Sequence, residues 1–278
     1  MRKNILIGID LDGTLLTSKK QITGVTRETL ADVIKKGVRI VPVTGRPISG
    51  LPDALCEIPG IQYVITNNGA VIYDLSNEKI IYEESIPMKI CIEIYDMTFQ
   101  YADAFEVFLE GVGMESAASY SWLTERFRGK AIMGYLEKSR RCVTDLRAYL
   151  TRSRGAVDGI SLMCGKKSDC EIIKQQLQKF DGICVIEEAE NELELHSLHA
   201  GKGNALVKLG ERLGIQQEDI VAIGDGNNDI DMFRKAGTAI AMENATPNLK
   251  RFATDITLSN EKDGVAWAIR KVCSTMLD

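Results

Sequence analysis

Two aspartates, Asp10 and Asp12, close the apolar run Ile5-Leu6-Ile7-Gly8-Ile9, and Gly13-Thr14 follow them. A short apolar run bounded by a turn signal reads as a strand buried on both faces, as in a parallel sheet. Two residues apart in extended chain, the carboxylates project to one side. They sit at the carboxyl end of that strand, where open α/β sheets bind ligands. Two such groups repel, and a divalent cation such as Mg²⁺, which prefers hard oxygen ligands, is the simplest means of holding both. A second acidic group, Asp225-Gly226-Asn227-Asn228-Asp229, follows the run Ile220-Val221-Ala222-Ile223-Gly224. Extended to Asp231 it matches the first half of a calcium loop. Position 6 of that loop is Ile230 instead of Gly, position 12 is Ala236 instead of Glu, and a strand precedes it, all of which argue against calcium. Lys202 opens a helix, where the macrodipole prefers anions; the placement suits a lysine paired with a bound phosphate. Thr44-Gly45 ends another apolar run, and Gly45 permits close backbone approach.

The elements that position these residues alternate. After the first strand, Thr23 to Thr26 offers caps, Leu30, Val33 and Ile34 form an apolar stripe, and Gly37 ends a helix. A strand over 38–43, a helix over 48–56 and a strand over 63–66 follow. The order β-α-β-α-β implies parallel strands with right-handed crossovers. A hairpin is expected over 71–82. The rhythm then changes: strands are expected at 105–109, 159–163, 183–186 and 192–195, and helices at 88–101, 139–151 and 168–179. From Gly201 the alternation resumes, with helices over about 202–213 and 229–236, strands over 220–224 and 238–242, and a last helix from Gly264. The expectation is an α/β protein: a Rossmann-like, doubly wound parallel-sheet core over 1–83 and 196–278, and an inserted α+β cap over 84–195.

Bulk properties bound the function. The chain has 278 residues, 45% of them hydrophobic, enough for two domains with real cores. A net charge of −5 with mixed signs argues against nucleic acid as the main partner. No apolar run approaches the roughly 20 residues of a membrane helix, and no signal-peptide pattern follows Met1-Arg2-Lys3-Asn4. Seven dispersed cysteines without a C-x-x-C pair read as reduced core residues of a cytoplasmic protein. His196 and His199 lack metal-ligand spacing.

Asp10-Leu11-Asp12-Gly13-Thr14-Leu15 resembles the first motif of the haloacid dehalogenase superfamily of phosphatases. Thr44, Lys202 and the Gly-Asp-Gly-Asn-Asn-Asp loop resemble the second, third and fourth in chain order, so the resemblance spans the chain. A large α+β insert between the second and third motifs is similar to the Cof-type group, whose cap carries substrate specificity. Leu198-His199-Ala200-Gly201 departs from the Pro and Ser often found there. The resemblance implies a nucleophile at Asp10 and a general acid and base at Asp12. It implies phosphate contacts from Thr44, Gly45, Lys202 and Asn228, and Mg²⁺ held by Asp10, Asp12 and Asp225 with Asp229 in support. Arg46 and Asn68 lie on loops where they could touch a leaving group, whereas the basic cluster Arg126, Arg128 and Lys130 reads first as a solvated loop. The implied function is a Mg²⁺-dependent phosphatase of small phosphorylated metabolites, with sugar phosphates first and cofactor phosphates such as FMN or pyridoxal phosphate second. A sugar phosphomutase and a non-catalytic regulatory module stay open as alternatives. The presence of Asp12 argues against a dehalogenase, which has no leaving oxygen to protonate. Oligomeric state is not legible.

Overall fold

The computed structural model describes residues 4–56 and 58–276, without the side chains of residues 56, 188, 189, 275 and 276. Residues 1–3, read above against a signal peptide, and the side chain of Cys56 therefore lie outside the described residues. The chain divides into two units. The first comprises Met1–Gly45, Leu51–Tyr82 and Gly201–Asp278, and the second Arg46–Gly50 and Glu83–Ala200. The segment Arg46–Gly50, which lies inside the expected core span 1–83, thus groups with the second unit.

The first unit opens with β1 (Leu6–Asp10), α1 (Gly24–Lys35), β2 (Arg39–Val43), α2 (Asp53–Cys56), β3 (Tyr63–Thr66), β4 (Val71–Asp74) and β5 (Lys79–Glu83). In the second unit follow α3 (Met88–Thr98), β6 (Ala104–Leu109), β7 (Val112–Ser116), α4 (Ala117–Arg126), α5 (Met133–Ser139), β8 (Arg140–Val143), α6 (Leu146–Arg152), β9 (Val157–Met163), α7 (Lys167–Leu177), β10 (Ile183–Ala189) and β11 (Glu192–Ser197). The first unit closes with α8 (Lys202–Leu213), β12 (Ile220–Gly224), α9 (Ile230–Lys235), β13 (Thr238–Ala241), α10 (Pro247–Lys250), β14 (Asp255–Ile256) and α11 (Gly264–Met276).

In the first unit the strands form one sheet in the order β14-β13-β12-β1-β2-β3-β4-β5. The ladders from β14 through β3 are parallel, and β4 turns back antiparallel on β3. From β1 the chain steps to β2 and β3 on one side and later to β12, β13 and β14 on the other. The order therefore reverses between β1 and β12, the topological switch point at which such sheets bind ligands. Every residue of β1 and β12 is buried, as expected of strands covered on both faces. Thr23 caps α1 by accepting from the Thr26 amide, and Gly37 follows its end with φ 94°. The helix expected over 48–56 is only a short turn at Ile48–Gly50 and then α2. Pro52 lies between them and biases Leu51 away from helical geometry.

The second unit has a six-stranded sheet, order β10-β11-β9-β6-β7-β8. Phe105, Val107, Leu109, Ile160 and Leu162 pack with Cys91, Ile94, Leu146, Leu150 and Ile173, so α3, α6 and α7 cover one face. Ala104 and Met163 pack with Leu123 of α4 and Leu136 of α5. The expected helix over 139–151 is instead β8, a turn and α6, and β7, α4 and α5 were not anticipated. The basic cluster accordingly starts on a helix: Arg126 stacks on Trp122 and Phe127, Lys130 lies over Phe127, and Arg128 pairs with Glu125. Between β6 and β8 lies a buried charge cluster. Glu106 and Glu115 stand directly opposite each other, and Arg140 Nε donates to Glu106 Oε1 at 2.5 Å. Both oxygens of Glu115 are buried without a hydrogen-bond partner. Burial pushes the Glu115 carboxyl up to about 8, with Glu106 adding to the effect and Arg140 opposing it. Of the described cysteines, Cys91, Cys164 and Cys170 are buried as expected, whereas Cys142 is exposed and Cys184 and Cys273 are partly so; none of these six forms a disulfide.

Candidate active site

β1 delivers Asp10 to the switch point, and β12 delivers Asp225 one residue past its end. Between them stands Lys202, the first residue of α8. Its ammonium is fully buried and donates to Asp10 Oδ1 and to Asp229 Oδ1, each at 2.7 Å. Asp229 Oδ2 in turn accepts from the amides of Asp225 and Gly226, each at 2.9 Å, so one carboxylate anchors the lysine and shapes the loop. Carboxylate oxygens of Asp10, Asp225 and Asp229 all lie within 4.8 Å of one another.

The turn after β1 is built to reach Asp225. Gly13 has φ 84°, and a Cβ there would lie 2.3 Å from Asp225 Oδ2, so no other residue fits. Thr14, whose role no local pattern shows, donates from Oγ1 to Asp225 Oδ1 at 2.7 Å. Its only sequence signal is its place in the Asp-Gly-Thr turn. Gly69 performs a similar service on the other side of Lys202: at φ 94° it lets Gly201, the residue before α8, approach to a distance a Cβ would forbid.

Asp10 and Asp12 are expected to share a face of extended chain. β1 ends at Asp10, the chain turns, and Asp12 does not join the three carboxylates. Asp12 Oδ1 instead accepts from Lys20 Nζ at 2.6 Å, with both side chains about two-fifths exposed at 39%. Lys20 is a second residue that no sequence motif singles out.

The β2 and β3 loops meet beside this cluster. Thr44 is 2% exposed; its amide donates to the Ile65 carbonyl and its carbonyl accepts from Asn68 N at 3.0 Å. Asn68, in the left-handed region at φ 52°, accepts at Oδ1 from Asn228 Nδ2 at 3.2 Å. A Cβ on Gly45 would lie 3.1 Å from the same Asn68 oxygen. The structure thus brings Asn68 together with Gly45 and Asn228. Arg46 groups with the second unit, where its Nη1 donates to the Gly50 carbonyl and its guanidinium lies 4.6 Å from the Tyr135 ring centre. His199 is an exposed residue of that unit whose amide donates to Ser197 Oγ.

Three carboxylates and one ammonium share this largely buried space, and the electrostatics follow. Burial pushes the Asp10 carboxyl well above its ordinary range; Lys202 pulls it back, and Asp229 and Asp225 push it further up. Asp225 is raised to about 6, by burial first, against the Thr14 hydrogen bond. Burial works against the Lys202 ammonium, but Asp10 and Asp229 outweigh it and hold its pKa above the ordinary value. Hard oxygen donors in excess of the local positive charge are the chemistry of a divalent-cation site, and these three residues fit one.

Comparison with known proteins agrees with the geometry. The profile of the haloacid dehalogenase-like hydrolases matches residues 7–269. Phosphatase YwpJ of Bacillus subtilis is 29% identical over 278 residues, covering 94% of this chain and 97% of its own. The 5-amino-6-(5-phospho-D-ribitylamino)uracil phosphatase YcsE of the same organism is 28% identical over 269 residues, covering 95% and 94%. A solved structure, a haloacid dehalogenase-like hydrolase from B. subtilis, superposes with a TM-score of 0.85 at 27% identity, over 95% of this chain and 98% of that one. No described helix is long and apolar enough to cross a membrane. The chain belongs to the haloacid dehalogenase-like hydrolases, in their Cof-type group, and is a phosphatase.

Proposed function

We propose that this protein is a Mg²⁺-dependent phosphatase of small phosphomonoesters that works through an aspartyl-phosphate on Asp10. The observation that carries the reading is the buried Lys202 ammonium bridging Asp10 and Asp229 beside Asp225 at the sheet's switch point. Asp10 supplies the carboxylate oxygen that attacks phosphorus as the ester P–O bond breaks. Asp12 gives its proton to the departing alkoxide, then takes one from the water that attacks the acyl phosphate. Breaking the second P–O bond frees inorganic phosphate and restores Asp10. Lys202, the Thr44 hydroxyl, the Gly45 amide and Asn228 hold the phosphoryl oxygens and offset their charge. Asp10, Asp225 and Asp229, with Asp12 adjacent in the turn, are the residues that would hold Mg²⁺. The ion supplies positive charge at the phosphoryl group, which an anionic nucleophile facing an anionic substrate requires.

The residues 84–195 serve in this reading as the cap that selects the leaving group, with Arg46 and Asn68 as contacts to it. Sugar phosphates are the first substrate class and cofactor phosphates such as FMN or pyridoxal phosphate the second. A relative named for a phosphoribityl ester adds sugar-alcohol phosphates to the set. The test is a phosphate-release screen over these classes, with Mg²⁺ and with EDTA, and with Asp10→Asn as control. Release that needs Mg²⁺ and is abolished in Asp10→Asn is expected. An unchanged rate in Asp10→Asn would sink the mechanism.

A further inference from the structure

The helix that carries Lys202 begins without a cap of its own. The residue before it is Gly201, which has no side chain to accept from the first free amides, and no local side chain replaces it. The acceptor comes from another element. Asp231, in α9, directs Oδ2 at the amides of Gly203 and Asn204, at 2.9 and 3.2 Å. These are the second and third residues of α8, whose amides an N-cap side chain ordinarily satisfies. The negative charge also lies at the positive end of the helix dipole. The other oxygen is fixed as well: Lys235 Nζ donates to Asp231 Oδ1 at 2.6 Å and also reaches Asn204 Oδ1.

The glycines on either side of Lys202 make this possible. A Cβ on Gly201 would lie 2.5 Å from Asp231 Oδ2, and one on Gly203 would lie 2.4 Å from the Asp231 carbonyl. The sequence Gly201-Lys202-Gly203 thus leaves space for Asp231 to dock flush against the amides that flank the lysine. From the same stretch of chain, Asp229 receives the lysine's ammonium. The loop and helix 229–235 grip both ends of Lys202: the ammonium through Asp229, and the backbone through Asp231.

We propose that Asp231 is a positioning residue: it caps α8 from outside the helix and so fixes where Lys202 presents its ammonium to the phosphoryl group. The proposal rests on the reading above, in which Lys202 contacts that group. Asp231 itself touches none of the reacting atoms.

The test compares full-length wild type, Asp231→Ala, Asp231→Asn, Lys235→Met and Lys202→Ala, turning over p-nitrophenyl phosphate with Mg²⁺, with thermal unfolding measured alongside. Misplacing a catalytic group by about 1 Å costs up to roughly a hundredfold, so Asp231→Ala is expected to lower kcat about ten- to a hundredfold with KM within about threefold. Asp231→Asn keeps an amide oxygen for the same two N–H groups and is expected to restore kcat to within about threefold of wild type. A change in Tm alone, with wild-type kcat in Asp231→Ala, overturns the proposal, because a merely structural cap moves stability without the chemical step. Equal kcat losses in Asp231→Ala and Asp231→Asn overturn it too, as does a loss confined to KM. Where Asp231→Ala does not fold, Lys235→Met decides. It leaves both amide bonds but frees Asp231 Oδ1, and is expected to lower kcat about threefold, a small part of the misplacement effect; unchanged kcat there overturns the proposal. Full activity in Lys202→Ala would instead overturn the proposed function, and so separates that failure from this one.

Discussion

The molecule buries two clusters in which carboxylates outnumber cations, and they resolve the imbalance differently. In the first unit, Lys202 lies between Asp10 and Asp229 while Asp225 stands close by, and Thr14, the loop amides and the lysine saturate much of the carboxylate capacity. In the second unit, Arg140 holds Glu106 and leaves Glu115 with no partner for either oxygen. Each is more acidic than its cation can neutralise. The first collects its surplus charge at the carboxyl end of a parallel sheet, where the proposed reading seats a metal ion and a phosphate. The second spans β6, β7 and β8, the first pair antiparallel and the second parallel, and there burial favours the protonated form of Glu115. A buried ion pair is therefore no sign of function by itself; what distinguishes the two is where the backbone places them and whether the oxygens converge.

Lys202→Met breaks the comparison if it fails. Loss of one preorganised charge in a dry site costs about 10²–10³-fold in kcat, and the variant is expected to lose turnover on that scale in steady-state assays. A smaller loss than tenfold would reduce the first cluster to the status of the second. Arg140→Met tests the other side. It strands Glu106 in the interior, and denaturant unfolding is expected to show a loss of about 3–5 kcal/mol. Thr14→Val sharpens the first cluster further. Without the hydroxyl, Asp225 loses a partner that orients it, and the Mg²⁺ concentration for half-maximal activity is expected to rise about tenfold, the usual cost of a lost outer partner.

Glu115→Gln gives the smallest effect and a definite sign. Burial pushes the folded carboxyl up to about 8 against an ordinary value of 4.5. Between those limits the folded state holds a proton that the unfolded chain releases, so the carboxyl's contribution to stability falls as pH rises through the window. The glutamine variant lacks that fall. Its Tm relative to wild type is expected to rise by roughly 5 °C between pH 5 and pH 8 in calorimetry, and a constant difference would show that Glu115 does not titrate there.

What could be read from the sequence divides along the same line. Asp10, Thr44 and Asp225 end apolar runs, so a strand periodicity alone puts them at one sheet edge. Lys202 opens an amphipathic helix, and its position follows from the stripe Leu206, Leu209 and Leu213. Asp231, Thr14 and Lys20 were not legible as partners because each acts across a tertiary approach. The Thr14–Asp225 bond spans 211 residues, and no local pattern encodes it. Asp12 lies beyond the end of β1, so a turn and not strand periodicity sets its side chain, and its bond to Lys20 was not legible. In the second unit, nothing in the residue pattern separates β8 from α6 over 139–151, where helical apolar spacing hides a four-residue strand. The short β7, with its glycine and glutamate, carried no run to see.

The path of the chain has a consequence for how the protein is made. The chain passes between the two units after Gly45, Gly50, Tyr82 and Ala200. β1 is synthesised first, yet its β12 partner lies beyond the whole of the second unit. The bond from Lys202 to Asp10 closes over 192 residues, so at about 5–20 residues per second the nascent β1 waits roughly 10–40 s for that partner. Through that interval one edge of a strand that is fully buried in the folded protein stands open on the ribosome. The second unit, contiguous from residue 83 to residue 200 apart from the short segment at 46–50, emerges whole during the wait. Chaperone demand during synthesis should therefore peak before residue 220 has cleared the exit tunnel and drop once it has, a pattern that ribosome-bound nascent chains of graded length would reveal.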